Sequence, residues 1–359
     1  MNNRNAVIYA GAWGAIIAVT AVDLLWARRA GIRISHGWPT SAFGRFAVPL
    51  LCAAGLWWIA SLERYRRLTH AARCSEISVA ILCLITIAIW AQTVSMASYL
   101  GIGLNVPTIA DVLVRFDEAI GFHWPGAYHW VTGHHGLHMV LKYAYWSAFA
   151  QLFFVPFSLA VVRRQDDMAE FLAILFLASI MLLAISIPFP AESAFLYYGI
   201  TDPGTASTVR DFTLLRSAAM PAINPYDVQG LVSMPSFHTM IAIFFAYAVR
   251  HVGFVFPAAI ALNAVMVAST ITVGGHYLVD VLAGIVCGVA VISVVRSALR
   301  RLPGQRVDTD RVGASGRRAL AVPLHRSSIR WGVDSHHTGT PHLLPHGKDT
   351  ERSAAVEKA

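Results

Sequence analysis

Residues 233–250 read SMPSFHTMIAIFFAYAVR, and residues 274–295 read GGHYLVDVLAGIVCGVAVISVV. Each stretch opens on turn-forming residues and a histidine, then runs into an apolar segment. In lipid such a run is stable only as a helix, because no water is present to satisfy its backbone. His238, His276 and Asp280 therefore stand at helix starts, at the rim of the apolar layer. Ionisable groups are expensive there and usually have a functional partner. Worked outward from these two runs, the chain reads as all-α, a polytopic transmembrane helix bundle.

The remainder agrees. Of 359 residues, 56% are hydrophobic and 13% charged, against about 25% charged in an ordinary soluble domain, and the mean hydropathy is +0.55. Apolar stretches near 7–26, 44–62, 77–100, 140–162, 169–189, 237–250, 254–273 and 277–297 predict eight spans of up to the roughly 20 residues a crossing helix needs. The sixth is short. The second contains Arg45 and Pro49 and has basic flanks on both sides, so a re-entrant reading would leave seven. The first is a full-length span followed by arginines, which predicts an anchor rather than a cleaved signal.

Basic loops resist translocation. Arg64 to Arg73, Arg163-Arg164, Arg250 and the arginine-rich tail are thus expected on the cytoplasmic side, in a bacterial inner membrane, with the two histidine segments on the opposite face. Arg28, Arg29 and Arg33 disagree with this assignment. Cys52, Cys83 and Cys287 fall in spans and Cys74 in a cytoplasmic loop, so no extracytoplasmic disulfide is expected. Residues 299–359 are rich in Arg, Pro, Gly, Ser and His without apolar periodicity, which predicts a disordered basic cytoplasmic tail. Residues 1–62 and 77–297 are expected to form the N-terminal spans and a membrane catalytic domain. The pI near 9.6 arises from the tail and from loops beside spans, and suits anionic lipid headgroups with no need of nucleic acid.

In Pro235-Ser236-Phe237-His238, Pro and Ser are favoured at a helix start, where amide N–H groups have no intrahelical acceptor. Those amides, the Ser236 hydroxyl and the helix dipole can hold a phosphate within reach of His238. A serine cap beside an interfacial histidine also explains the segment taken alone. His276 and Asp280 share a helix face, so the carboxylate can fix the imidazole tautomer and leave the other ring nitrogen as nucleophile. They also read as a capping pair, or as two metal ligands lacking a third and fourth at convincing spacing.

The joint pattern resembles the second and third signature motifs of the type-2 phosphatidic acid phosphatase superfamily, in the branch that includes inositol phosphorylceramide synthases and sphingomyelin synthases. The resemblance covers roughly residues 77–297 and implies a six-helix phosphatase-type core with about two extra N-terminal spans. It implies that His238 protonates the leaving oxygen, His276 attacks phosphorus, Asp280 orients His276, and Ser236 with the amides near Phe237 contacts the phosphate. Phe237 replaces the glycine of Pro-Ser-Gly-His, Thr270 stands where an arginine is expected six residues before the nucleophile, and no Lys-x6-Arg-Pro motif exists. Lys142 is the only lysine outside the tail. These departures point toward the phosphotransferase branch.

A phosphoryl site needs positive charge. Arg210 and Arg216 are the nearest candidates upstream of His238; both can equally snorkel to headgroups. Arg216 is preferred because Leu215-Arg216-Ser217 resembles the arginine segment of bacterial members of the branch. The segments Pro188-Phe189-Pro190-Ala191-Glu192 and Asp117 to Trp124 also resemble parts of the family, although helix termination and an amphipathic interfacial helix are sufficient explanations. His123, His129, His134, His135 and His138 are expected to be interfacial rather than metal ligands.

The expected partners are a membrane lipid phosphoester and an alcohol acceptor such as inositol or a lipid hydroxyl, with no cofactor and no metal. The alternatives are a lipid phosphate phosphatase of phosphatidate or polyprenyl diphosphate type, a metal-dependent membrane hydrolase, or a proton-coupled transporter or lipid-binding protein.

Overall fold

The computed structural model describes residues 3–35, 38–220 and 222–301. Its helices are α1 (Asn3–Arg29), α2 (Trp38–Ser61), α3 (Arg66–Ala71), α4 (Cys74–Ile102), α5 (Ala110–Ala119), α6 (Trp124–Gly133), α7 (His135–Val161), α8 (Gln165–Ser186), α9 (Ala194–Tyr197), α10 (Ala206–Arg216), α11 (Phe237–Ala248), α12 (Phe256–Thr272) and α13 (Leu278–Arg301). Among the described residues there is no strand, only an isolated bridge between Ile34 and Ile223. Six helices, α1, α2, α4, α7, α8 and α13, are long and apolar enough to cross a membrane; α11 and α12 are shorter apolar helices beside them. The protein is a multi-pass helical membrane protein. The expected tail lies outside the described residues except for Leu299–Arg301, which complete α13.

Contacts at the helix ends sort the bundle into two faces. Arg4 and Asn5 at the start of α1 meet Asp166 at the start of α8. At the end of α11, Arg250 reaches Glu170 at 2.7 Å and Asp167 at 3.4 Å, while His251 reaches Asp167 at 3.0 Å. One face thus collects the starts of α1 and α8 and the end of α11. The opposite face collects the end of α1, whose Ala27 packs with Tyr99 and Leu100 of α4 and Phe212 of α10, together with the starts of α11 and α13. Helix α2 is continuous through Pro49. Its Arg45 lies over the Tyr226 ring on that second face, and farther along it Ala53 accepts a hydrogen bond from Ser78 near the start of α4. A re-entrant second segment is therefore not what forms.

The main core joins α1, α4, α7, α8, α11, α12 and α13, with Trp90 stacked on Phe176 at 4.2 Å. Large apolar side chains such as Leu51, Trp57, Phe154 and Val286 point outward, as a lipid-facing surface requires. Helices α11 and α13 run parallel and close together. A Cβ on Gly284 would lie 2.7 Å from the Ser236 carbonyl oxygen, and one on Gly288 would lie 3.2 Å from Ile243. Small residues one turn apart permit this approach. Because Gly284 is beside Ser236, the start of α11 is sunk about 9 Å below the start of α13, at 1.5 Å per residue. The short helices α5, α6, α9 and α10 occupy the same face.

Candidate active site

Ser236 is fully buried and is the N-cap of α11, its Oγ accepting from the Thr239 amide at 3.4 Å and the Thr239 hydroxyl at 3.1 Å. Its own amide donates to the Asp280 carbonyl at 3.1 Å. The next two amides, of Phe237 and His238, meet no acceptor among the described residues. They form the open, positive end of a helix, the geometry that binds an oxyanion.

His276 sits in the turn ahead of α13. Its amide donates to the Thr270 carbonyl at 3.2 Å, and its carbonyl accepts from the Trp124 indole at 3.0 Å. Gly275, with φ +69°, makes the preceding bend, and a Cβ there would strike the Phe195 ring at 2.4 Å. The His276 side chain is 7% exposed and Asp280 is fully buried. His276 Nδ1 faces Asp280 Oδ2 at 3.6 Å, longer than a hydrogen bond but of the kind that tightens when the ring becomes cationic. The same carboxylate oxygen accepts from Ser233 Oγ at 2.7 Å and from the Tyr277 amide at 3.2 Å. With Nδ1 turned to Asp280, Nε2 is the nitrogen left for chemistry.

His238 is held from the other side by Tyr145 of α7. The rings stack at 4.2 Å, and the phenol contacts Nδ1 at 3.3 Å. The Tyr145 ring edge and the His276 ring edge both come within about 3 Å of where a Gly274 Cβ would stand. Tyr145 thus links the two imidazoles, which are close enough to interact electrostatically, each with its δ nitrogen against the protein. Tyr145 carried no signal in the sequence, while Ser233 and Trp124 lay in segments singled out there without a role of their own. Their roles depend on contacts across 47 to 152 residues of chain.

The expected cations lie apart from this group. Arg210 is exposed and pairs with Asp211 at 2.9 Å, whose other oxygen accepts from the Tyr99 hydroxyl at 2.8 Å. Arg216, half-buried, donates to the Val106 carbonyl. It also opposes the burial that pushes the Glu192 carboxyl upward, while Asp111 adds to the rise. Neither guanidinium hydrogen-bonds to His238, His276 or Asp280. His123 caps α6 by accepting from the Gly126 amide, and His129 and His134 bond the carbonyls of Pro125 and Trp130 in their own helix. Among the described residues no three His, Cys, Asp or Glu side chains are grouped as metal ligands.

Two imidazoles and a carboxylate are thus gathered at the starts of two parallel helices of a polytopic helical bundle. The chain belongs to the PAP2 superfamily, whose family model matches residues 111–294. This membership makes it a lipid enzyme of the phosphatase or phosphotransferase type. The match begins at α5 and leaves α4 outside, although α4 had been expected within the resembling region. No curated protein and no solved structure matches the chain.

Proposed function

We propose that this protein is a lipid phosphotransferase of the inositolphosphotransferase kind, acting without metal through a phosphohistidine. In the first step His276 Nε2 attacks phosphorus, the bond from phosphorus to the leaving alkoxide breaks, and His238 gives that oxygen a proton. In the second an acceptor hydroxyl attacks phosphorus, its proton passes to His238, and the phosphorus–nitrogen bond breaks. Asp280 stabilises the imidazolium that His276 becomes. The Phe237 and His238 amides and the Ser236 hydroxyl hold phosphoryl oxygens, with Arg216 and Arg210 as longer-range positive charge.

The observation that carries this reading is the pairing of environments: His276 backed by a buried carboxylate, His238 backed by a phenol, the two close enough to interact electrostatically beside two free amides. One histidine is thus built to become cationic and the other to pass a proton. The acceptor is an alcohol, inositol or a lipid hydroxyl. Water in its place gives the phosphatase reaction through the same steps. The site is assigned to the non-cytoplasmic side of a bacterial inner membrane, on the basic character of the Arg64–Arg73, Arg163-Arg164 and Arg250 loops.

The test is to incubate purified protein with phosphate-labelled lipids, with and without inositol and diacylglycerol or ceramide. A new phosphodiester lipid is expected, with acid-labile label on the wild type, none on His276→Ala, and unchanged turnover in chelator. Free phosphate as the sole product rejects the transferase, and full turnover by His276→Ala rejects the histidine mechanism.

A further inference from the structure

Asp117 of α5 is 161 residues from α13 in sequence, yet it is 2% exposed and both its carboxylate oxygens end there. One accepts from the Leu278 amide at 2.8 Å and the other from the Val279 amide at 2.9 Å. These are the first two residues of α13. The residue before them is Tyr277, which has no side-chain acceptor suited to capping, and its amide is taken by Asp280. The amides of Tyr277, Leu278 and Val279 are thus each closed by a carboxylate, whereas the first amides of α11 stay open. The two adjacent helix starts are differentiated: one receives an anion, the other already holds one.

We propose that Asp117 is a positioning residue for the reaction, setting the His276–Asp280 geometry by clamping the first turn of α13. This rests on the reading of His276 as nucleophile. His276 lies two residues before the clamped amides and Asp280 one residue after them, so the pair is fixed as a unit only if that turn is fixed. Loop residues 274–277 cannot do this themselves, since two are glycines and Gly275 is in the left-handed region. Trp124, at the end of the loop leading from α5, fixes the His276 carbonyl from the same side. Asp117 also adds negative charge near Asp280, with which it interacts electrostatically. The other titratable groups around this corner include Tyr277 beside His276, His238 of α11, Glu118 of α5, and Glu192, Tyr197 and Tyr198 near α9.

The experiment compares wild type, Asp117→Asn, Asp117→Ala and His276→Ala as full chains in lipid nanodiscs, with the labelled phospholipid that gives turnover. Asparagine keeps one acceptor but turns an N–H toward the second amide, and alanine keeps none. The expected result is a kcat about 10-fold lower for Asn and about 100-fold lower for Ala, with KM within threefold of wild type. Loss of a negative charge favours the neutral nucleophile, so the acid limb of the Asn variant's pH–rate profile should move to lower pH. Unchanged kcat and an unshifted acid limb in Asp117→Asn, with His276→Ala inactive, overturn the proposal. A drop in thermal midpoint without either kinetic change overturns it as well, since that is a purely structural cap. Full activity of His276→Ala rejects the nucleophile assignment instead, and the two failures are thereby told apart.

Discussion

At the scale of single residues, the site depends on which ring nitrogen each histidine presents. Asp280 and Tyr145 each occupy a δ nitrogen, and the sequence signalled only Asp280, because the four-residue spacing puts it on the face of His276. Tyr145 lies 93 residues before His238 in an apolar helix and looks like any interfacial aromatic. As general acid His238 is the imidazolium, whose Nδ1–H donates to the phenol oxygen while Nε2 gives its proton; as general base it is the neutral ring, whose Nδ1 its own proton fills. Tyr145→Phe keeps the stack and loses the hydrogen bond. Its kcat should fall roughly 3- to 10-fold, on the order of a net hydrogen bond of 0.5–1.5 kcal/mol, and Tyr145→Ala should fall further. Steady-state turnover of the two variants checks this, and equal activity of wild type and Phe would remove the phenol from the mechanism. Arg210 shows the reverse case, a residue singled out by its place in the sequence that pairs with its neighbour Asp211.

At the scale of elements, the relation between α11 and α13 decides the separation of the two histidines. Helix α11 is anchored at its far end by Arg250 against Glu170 and Asp167 of α8, and the two helices are drawn together at the near end by Gly284. Adding a methyl at 284 meets the Ser236 carbonyl at 2.7 Å and Thr239 Cβ at 3.0 Å. The first contact is backbone and cannot swing aside. Gly284→Ala should therefore cost about 1–3 kcal/mol and displace the Ser236 cap. A lower thermal midpoint in detergent and a raised KM for the lipid phosphoester are the expected measurements. Gly230 has open space around it, so Gly230→Ala serves as the control that should change neither. Periodicity and helix starts made both elements legible in the sequence, but not their parallel contact, because glycine in an apolar run has no pattern that names its neighbour.

At the scale of the molecule, α1 and α2 lie outside the family match yet pack into the same compact unit. Ala12 and Ile16 of α1 belong to the main core, and Ala27 belongs to the cluster under the site face. Segment 33–35 also bonds Ile223, in the loop that leads to Ser233. Removing residues 1–62 should lower the thermal midpoint by roughly 10 °C or more, since several kcal/mol of packing are lost, and turnover should fall with it. A monodisperse, fully active truncated protein would show that these spans are accessory. The same contacts put Arg28, Arg29 and Arg33 on the site face, so these three remain an exception to the orientation proposed from the other basic loops.

The sequence by itself determined that this is a helical membrane protein, where α11 and α13 start, and that His238, His276 and Asp280 are out of place in lipid. Those properties are local: hydropathy, capping and one-turn spacing act within a few residues. Only the tertiary structure decided that α11 is sunk beside α13, that Tyr145 backs His238, and that Asp117 closes the α13 amides beneath His276. Such contacts join parts of the chain far apart in sequence, and their physical basis is the filling of a shared space rather than any pattern along the chain. The motif of two histidines and an aspartate was legible; the groups that aim it were not.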